Sequence, residues 1–162
     1  MPNLILIASM SNNNLIEESG SSLRDDPHNL GIVRKIIGNL PVLMGKRTYQ
    51  EIGHLFNQNE TMLFTEEVEP LPHGIPVTHS ISDALSYFDR YHTLACISEG
   101  EMYKPAMNLA KRLEIIKSTQ DATTGPSVAD ELKKWKSGEY RWTKECPNFE
   151  YMVYERKPEA QK

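Results

Sequence analysis

Cysteine is scarce in this 162-residue chain: only Cys96 and Cys146 occur, and they lie far apart. Two thiols without a close spacing exclude a disulfide framework and a thiolate zinc site. The five histidines are scattered without a partner pattern, so no metal site is expected. Long apolar runs are missing as well. The longest near the N-terminus, residues 4–8, is too short to span a bilayer or to form the apolar part of an export signal. The expectation is a cytoplasmic protein with no membrane contact. No Lys/Arg run is longer than two or three residues, and 18 Lys+Arg against 22 Asp+Glu leave a net charge of −4, which argues against a surface built to neutralise nucleic-acid phosphates.

No repeat, low-complexity stretch or Pro/Gly-rich linker divides the chain, so a single domain over residues 1–158 with a short tail at 159–162 is expected. The length is sufficient for a core of its own. A composition of 39% hydrophobic and 25% charged residues belongs to a folded domain, not a disordered tail.

Apolar runs of strand length recur at 3–10, 40–44, 61–64, 93–98 and 112–118. Most are continuous, the pattern of strands covered on both faces. Residues 28–37 place Leu30, Val33, Ile36 and Ile37 at spacings of three and four, which makes one apolar stripe on a helix. Pro27 suits the first turn, Asp26 is its N-cap candidate, and Gly38-Asn39 supplies a left-handed stop. A second helix starts at Ser82 after a cap at Ser80 or Ser82. Residues 100–110 read as a third, with Met102, Tyr103, Ala106 and Met107 inward. Residues 140–145 and 149–156 alternate around Cys146-Pro147-Asn148 and predict an antiparallel hairpin. Trp135 and Trp142 are expected to anchor that edge of the sheet. Asn12-Asn13-Asn14 reads as a turn tip, since asparagine tolerates left-handed backbone, and residues 17–22 read as a mobile Ser/Gly loop.

The order of elements predicts an α/β domain: a mixed, mainly parallel sheet flanked by helices, closed by an antiparallel pair. Ligands of such sheets bind beyond the carboxyl ends of the strands, which points to the loops after Met10, Met44, Phe64 and Ser98.

The second of these loops is Met44-Gly45-Lys46-Arg47-Thr48-Tyr49-Gln50-Glu51-Ile52-Gly53. Gly45 permits close backbone approach, a helix begins after it, and Lys46 and Arg47 add positive charge where helix amides would face a phosphate. The segment resembles the M-G-R-x-T-[WY]-x-S-[IL]-G motif of dihydrofolate reductases. Further resemblances follow in order along about the whole chain. Residues 3–8 resemble the family's first strand, and Leu15-Ile16 falls where its loop has V-I-G. Residues 93–103 resemble its I-G-G-[AG]-x-[IV]-Y segment, and residues 151–157 resemble its closing strand. The resemblance implies the single-domain reductase fold and reduction of dihydrofolate with NADPH. It implies substrate positions at Ile7, Ala8, Leu30, Val33, Asn59 and Ile116. Cofactor positions are implied at Ser9, Ile16, Gly45, Lys46, Arg47, Thr48, Thr65, Glu66, Ser98, Glu99, Gly100 and Tyr103.

Family members carry a lone carboxylate early in the first helix to support protonation of the pterin, and the matching position here is Asn29. An amide can hydrogen-bond a pterin but carries no titratable proton. Asp26, or Asp25 beside it, is a substitute if the helix starts early enough, and otherwise the two form an N-cap pair. The tryptophan five positions before the family's acid corresponds to Arg24, and the threonine that hydrogen-bonds the acid corresponds to Ile116. The arginine that grips the folate α-carboxylate falls near Asn59 in Asn57-Gln58-Asn59-Glu60, and loss of such a buried charge pair costs a few kcal/mol of binding. Ser98-Glu99 replaces two glycines that the family joins by a cis peptide at the cofactor, and Glu99 places a negative charge where a pyrophosphate would sit. Glu66 either accepts from a ribose 2′-hydroxyl, which favours NADH, or pairs with Lys46 or Arg47.

Two expectations follow from these departures. In the first, the usual reduction is lost or strongly impaired, no cofactor is required, and the fold engages an unidentified protein or a different ligand. In the second, the chain is an atypical reductase of a pterin-like substrate using NADPH or NADH, with Asp26 or a water held by Asn29 relaying the proton.

Overall fold

Strand β1, Asn3–Met10, runs through the middle of the sheet, and its alternate side chains enter two different cores. Leu4, Leu6 and Ala8 face one layer, while Ile5 and Ile7 face the other. This is why the run is continuously apolar: a strand covered on both faces has no polar side to show. The computed structural model describes residues 1–16, 27–65, 74–97, 102–118, 121–123, 127, 132, 135–142 and 149–156.

The remaining strands are β2 (Val42–Gly45), β3 (Thr61–Phe64), β4 (Val77–Thr78), β5 (Thr93–Ile97), β6 (Ala110–Ser118), β7 (Trp135–Trp142) and β8 (Phe149–Arg156). They form one sheet in the order β4-β3-β2-β5-β1-β6-β8-β7. Every pairing from β4 to β6 is parallel, and β8 runs antiparallel to both β6 and β7. Helices α1 (Pro27–Ile37) and α2 (Lys46–Ile52), with a 3-10 turn at Gly53–Phe56, contribute Val33, Ile37, Ile52 and Phe56 to the core that holds Ile5 and Ile7. Helices α3 (Ile81–Tyr87) and α4 (Tyr103–Leu109) contribute Ile81, Ala84, Ala106 and Met107 to the opposite core.

Local chemistry sets several boundaries as expected. The Ser80 side chain caps α3 by accepting from the Asp83 amide at 3.2 Å. Gly38 ends α1 with φ +51°, and Asn14 takes φ 65° at the expected turn tip. Three boundaries differ from expectation. The strand expected at 40–44 opens only at Val42, because Pro41 has no N–H to give; its carbonyl still accepts from the Ala95 amide at 3.0 Å. Helix α4 stops at Leu109, since Ala110 already pairs with Leu4 in β6. Strand β7 begins at Trp135 rather than 140, and Trp135 is buried in the core of the α3/α4 side. The two-residue β4 and the 3-10 turn are too short for any periodicity to mark. Asp26, and with it the N-cap reading, lies outside the described residues.

Candidate functional site

The parallel strands bring the ends of β1, β2, β3 and β5 to one edge of the sheet, where Gly45 pairs with Phe64, Ile97 pairs with Met44 and Ile7, and β1 runs on to Met10. This is the carboxyl edge at which such sheets take ligands. Ser9 and Ile16 come from β1 and its loop, and Ile16 is tied back by an antiparallel bridge to Met10. Gly45, extended at φ −71° and ψ 162°, is the N-cap of α2, and Lys46, Arg47 and Thr48 make its first turn. Thr48 is fully buried, Lys46 is half-buried and Arg47 is exposed. Thr65 follows β3, its amide donating to the Thr78 carbonyl at 3.0 Å and its carbonyl in contact with the His79 ring. The structure therefore gathers these expected cofactor residues at one edge. Tyr103 is buried at the start of α4, with its hydroxyl donating to the Ser127 carbonyl at 3.4 Å. Glu66, Ser98, Glu99 and Gly100 lie outside the described residues, as do Arg24 and Asp25.

The expected substrate residues divide. Ile7, Val33 and Ile116 meet in one core cluster beneath α1, with Leu30 packed against it, and Asn29 is 1% exposed in the first turn of that helix. Ala8 faces the opposite core. Asn59 stands at the other end of α1, just before β3, where its amide donates to the Gly38 and Leu40 carbonyls at 2.9 and 2.8 Å. A groove of about 670 Å³ runs beside it, lined in part by Arg34, Lys35, His54 and Asn57.

One residue of this layer was not singled out in the sequence. Glu114 on β6 is 3% exposed and pairs in register with Ile7. Register partners point to the same face, so its side chain shares the layer under α1. Tyr151 on β8 donates its hydroxyl to Glu114, and Arg112 Nε stands 3.0 Å from a Glu114 oxygen. The signal was present: one acid inside the apolar run Leu113-Glu114-Ile115-Ile116. Acids are almost never fully buried unless paired.

Other perturbed groups lie away from this edge. Burial pushes the Cys96 thiol up to about 12. Burial, with the nearby Glu150 charge, raises the Tyr154 hydroxyl. Tyr91 and Arg90 hold the Glu60 carboxyl below the usual carboxylate range. Among the described residues no cluster of His, Cys, Asp and Glu is placed to hold a metal, and no helix is long and apolar enough to cross a membrane.

The arrangement defines an α/β protein with a mainly parallel sheet whose carboxyl edge gathers the ends of β1, β2, β3 and β5. The family model described as dihydrofolate reductase matches residues 3–156. The chain is 27% identical over 108 residues to dihydrofolate reductase type 3 of Salmonella typhimurium, covering 67% of each chain. Its fold is similar to that of dihydrofolate reductase from Enterococcus faecalis, solved with NADP(H) and RAB-propyl, with a TM-score of 0.78. That likeness covers 96% of this chain and 97% of the other at 17% identity. The chain belongs to the dihydrofolate reductase family.

Proposed function

We propose that the chain is an atypical dihydrofolate-reductase-type oxidoreductase, reducing dihydrofolate or a pterin of that class with NADPH or NADH. The observation that carries this reading is the layer beneath α1: Ile7, Leu30, Val33 and Ile116 gathered below Asn29, adjoining the edge formed by Gly45, Lys46, Arg47, Thr48 and Thr65. A flat heteroaromatic ring suits an apolar layer with one amide at its head.

The donor set at the edge fits a nicotinamide dinucleotide. Lys46 and Arg47 supply cations, Thr65 supplies a hydroxyl, and these residues would hold its phosphates and ribose. When bound, the dinucleotide supplies the hydride. The protein's own part is to orient the pterin against that edge and to favour a proton on its ring. Asn29 can orient through hydrogen bonds but has no proton to give. Activity is therefore expected to rise toward acidic pH, where more substrate is already protonated.

A second reading has its own support. Asn29 at the acid position, and an Asn59 amide committed to two backbone carbonyls, both favour a fold that has left folate reduction and binds a protein or another ligand. Titration of the purified protein with NADPH and NADH, followed by ligand fluorescence, separates the two. Micromolar binding together with pterin-dependent cofactor oxidation supports the reductase. No binding at millimolar cofactor ends it and leaves the interaction reading, while turnover with a flat pH profile removes the proton argument.

A further inference from the structure

The buried acid of β6 has no counterpart among the roles assigned above. Glu114 sits two residues before Ile116 on the same face of β6, so about 7 Å of strand separates their Cα atoms. Ile116 pairs with Ser9 on one side and with Tyr151 on the other. Tyr151 thus stands level with the expected pterin layer and sends its hydroxyl down to Glu114. Opposite Glu114 on β8 is Val153, which packs against the same apolar cluster. An acid set between Ile7 and Val153 is poorly solvated, so the field of its ion pair with Arg112 is felt over a longer range than on a surface.

We infer that Glu114, oriented by Tyr151 and Arg112, is the carboxylate that favours the protonated form of a bound pterin, acting from β6 and not from α1. Glu114 is a positioning residue: it works through Tyr151 and through its charge. The inference rests on the reductase reading, because it needs a pterin under α1. Charged and titratable groups flank Glu114 on two strands. Arg112 lies on its own strand, with Glu155 opposite Arg112 on β8 and exposed, and Tyr151 contacts it from β8. The β1 residues beside it, Ile5 and Ile7, are apolar, and the Arg34 and Lys35 side chains of α1 are exposed.

The test uses a 2,4-diaminopteridine, whose ultraviolet spectrum reports ring protonation without any turnover. Bound to the native protein, its protonation midpoint is expected about one unit above that of the free compound. Glu114→Gln should return the midpoint to the free value, and Asn29→Asp added to Glu114→Gln should raise it again. That rescue shows that the pocket of Glu114→Gln still holds the pteridine, so the fall in its midpoint reports a lost charge and not a lost site. Tyr151→Phe, which keeps the carboxylate but frees its orientation, should lower the midpoint in part and serves where Glu114→Gln fails to fold.

An unchanged midpoint in Glu114→Gln, or in Tyr151→Phe where only that variant folds, overturns the inference. A raised midpoint in Asn29→Asp alone, with none in the native protein, also overturns it while the pterin site stands. If neither protein binds the pteridine, the reductase reading itself falls and the inference with it.

Discussion

The Asn59 side chain donates to the Leu40 carbonyl at 2.8 Å, and its second amide hydrogen goes to Gly38 at 2.9 Å. Asn59 thus staples the end of α1 to the start of β3. A neutral amide with both hydrogens engaged offers nothing further to an anion.

The first prediction is that the glutamyl tail of a folate contributes little here. A dihydropterin lacking that tail should bind within a few-fold of dihydrofolate by fluorescence titration, whereas a buried arginine clamp would make the difference large. Asn59→Ala should instead reduce stability by about 1–2 kcal/mol in urea denaturation, from two lost hydrogen bonds.

Gly53 supplies a second prediction. A Cβ built there would lie 2.3 Å from Tyr49 Cδ2 and 2.8 Å from its Cγ, so the root of the ring, not only its tip, has to move. Gly53→Ala should destabilise the fold by about 1–3 kcal/mol, the usual cost of overpacking. In a Tyr49→Ala background the same change should cost almost nothing. Equal penalties in both backgrounds would show that the ring is not the obstacle.

Cys96 gives a third. The thiol is buried in the middle of β5, and burial pushes its pKa up to about 12, leaving almost no thiolate at neutral pH. In a Cys146→Ser variant, Ellman's reagent should find no reactive thiol in the native protein and one after denaturation. Rapid reaction in the folded state would mean that β5 opens readily.

Legibility in the sequence followed the length of the signal. β1, β3 and α1 were marked by apolar runs or stripes, and α3 by its Ser80 cap; their places in the structure follow closely. β4 has two residues and pairs only through Leu63–Val77 and Phe64–Thr78, so no periodic pattern exists to read. The site divided in the same way. Gly45, Lys46, Arg47 and Thr48 form one contiguous motif and arrive together. The layer under α1 is assembled from β1, α1, β6 and β8, and the partners of Glu114 come from its own strand and from β8. A single acid in an apolar run reveals that a partner is needed, but only the antiparallel pairing of β6 with β8 identifies Tyr151.

Glu60 and Arg90 carry the last prediction. The Arg90 guanidinium donates to both Glu60 oxygens, and Tyr91 adds a hydroxyl hydrogen bond at 2.6 Å. Tyr91 first and Arg90 second hold the Glu60 carboxyl below its ordinary value. A carboxyl depressed in the folded state stabilises the fold above its unfolded pKa, and that contribution fades as pH falls through the lower folded value. Both partners are exposed, so the effect is small and screened by salt. Glu60→Gln should therefore lower Tm at pH 7 and low ionic strength by no more than about 2 °C. The gap should narrow in high salt and close well below pH 4, as thermal melts followed by circular dichroism would record. A gap that widens on acidification would mean that Glu60 stabilises the fold through its protonated form.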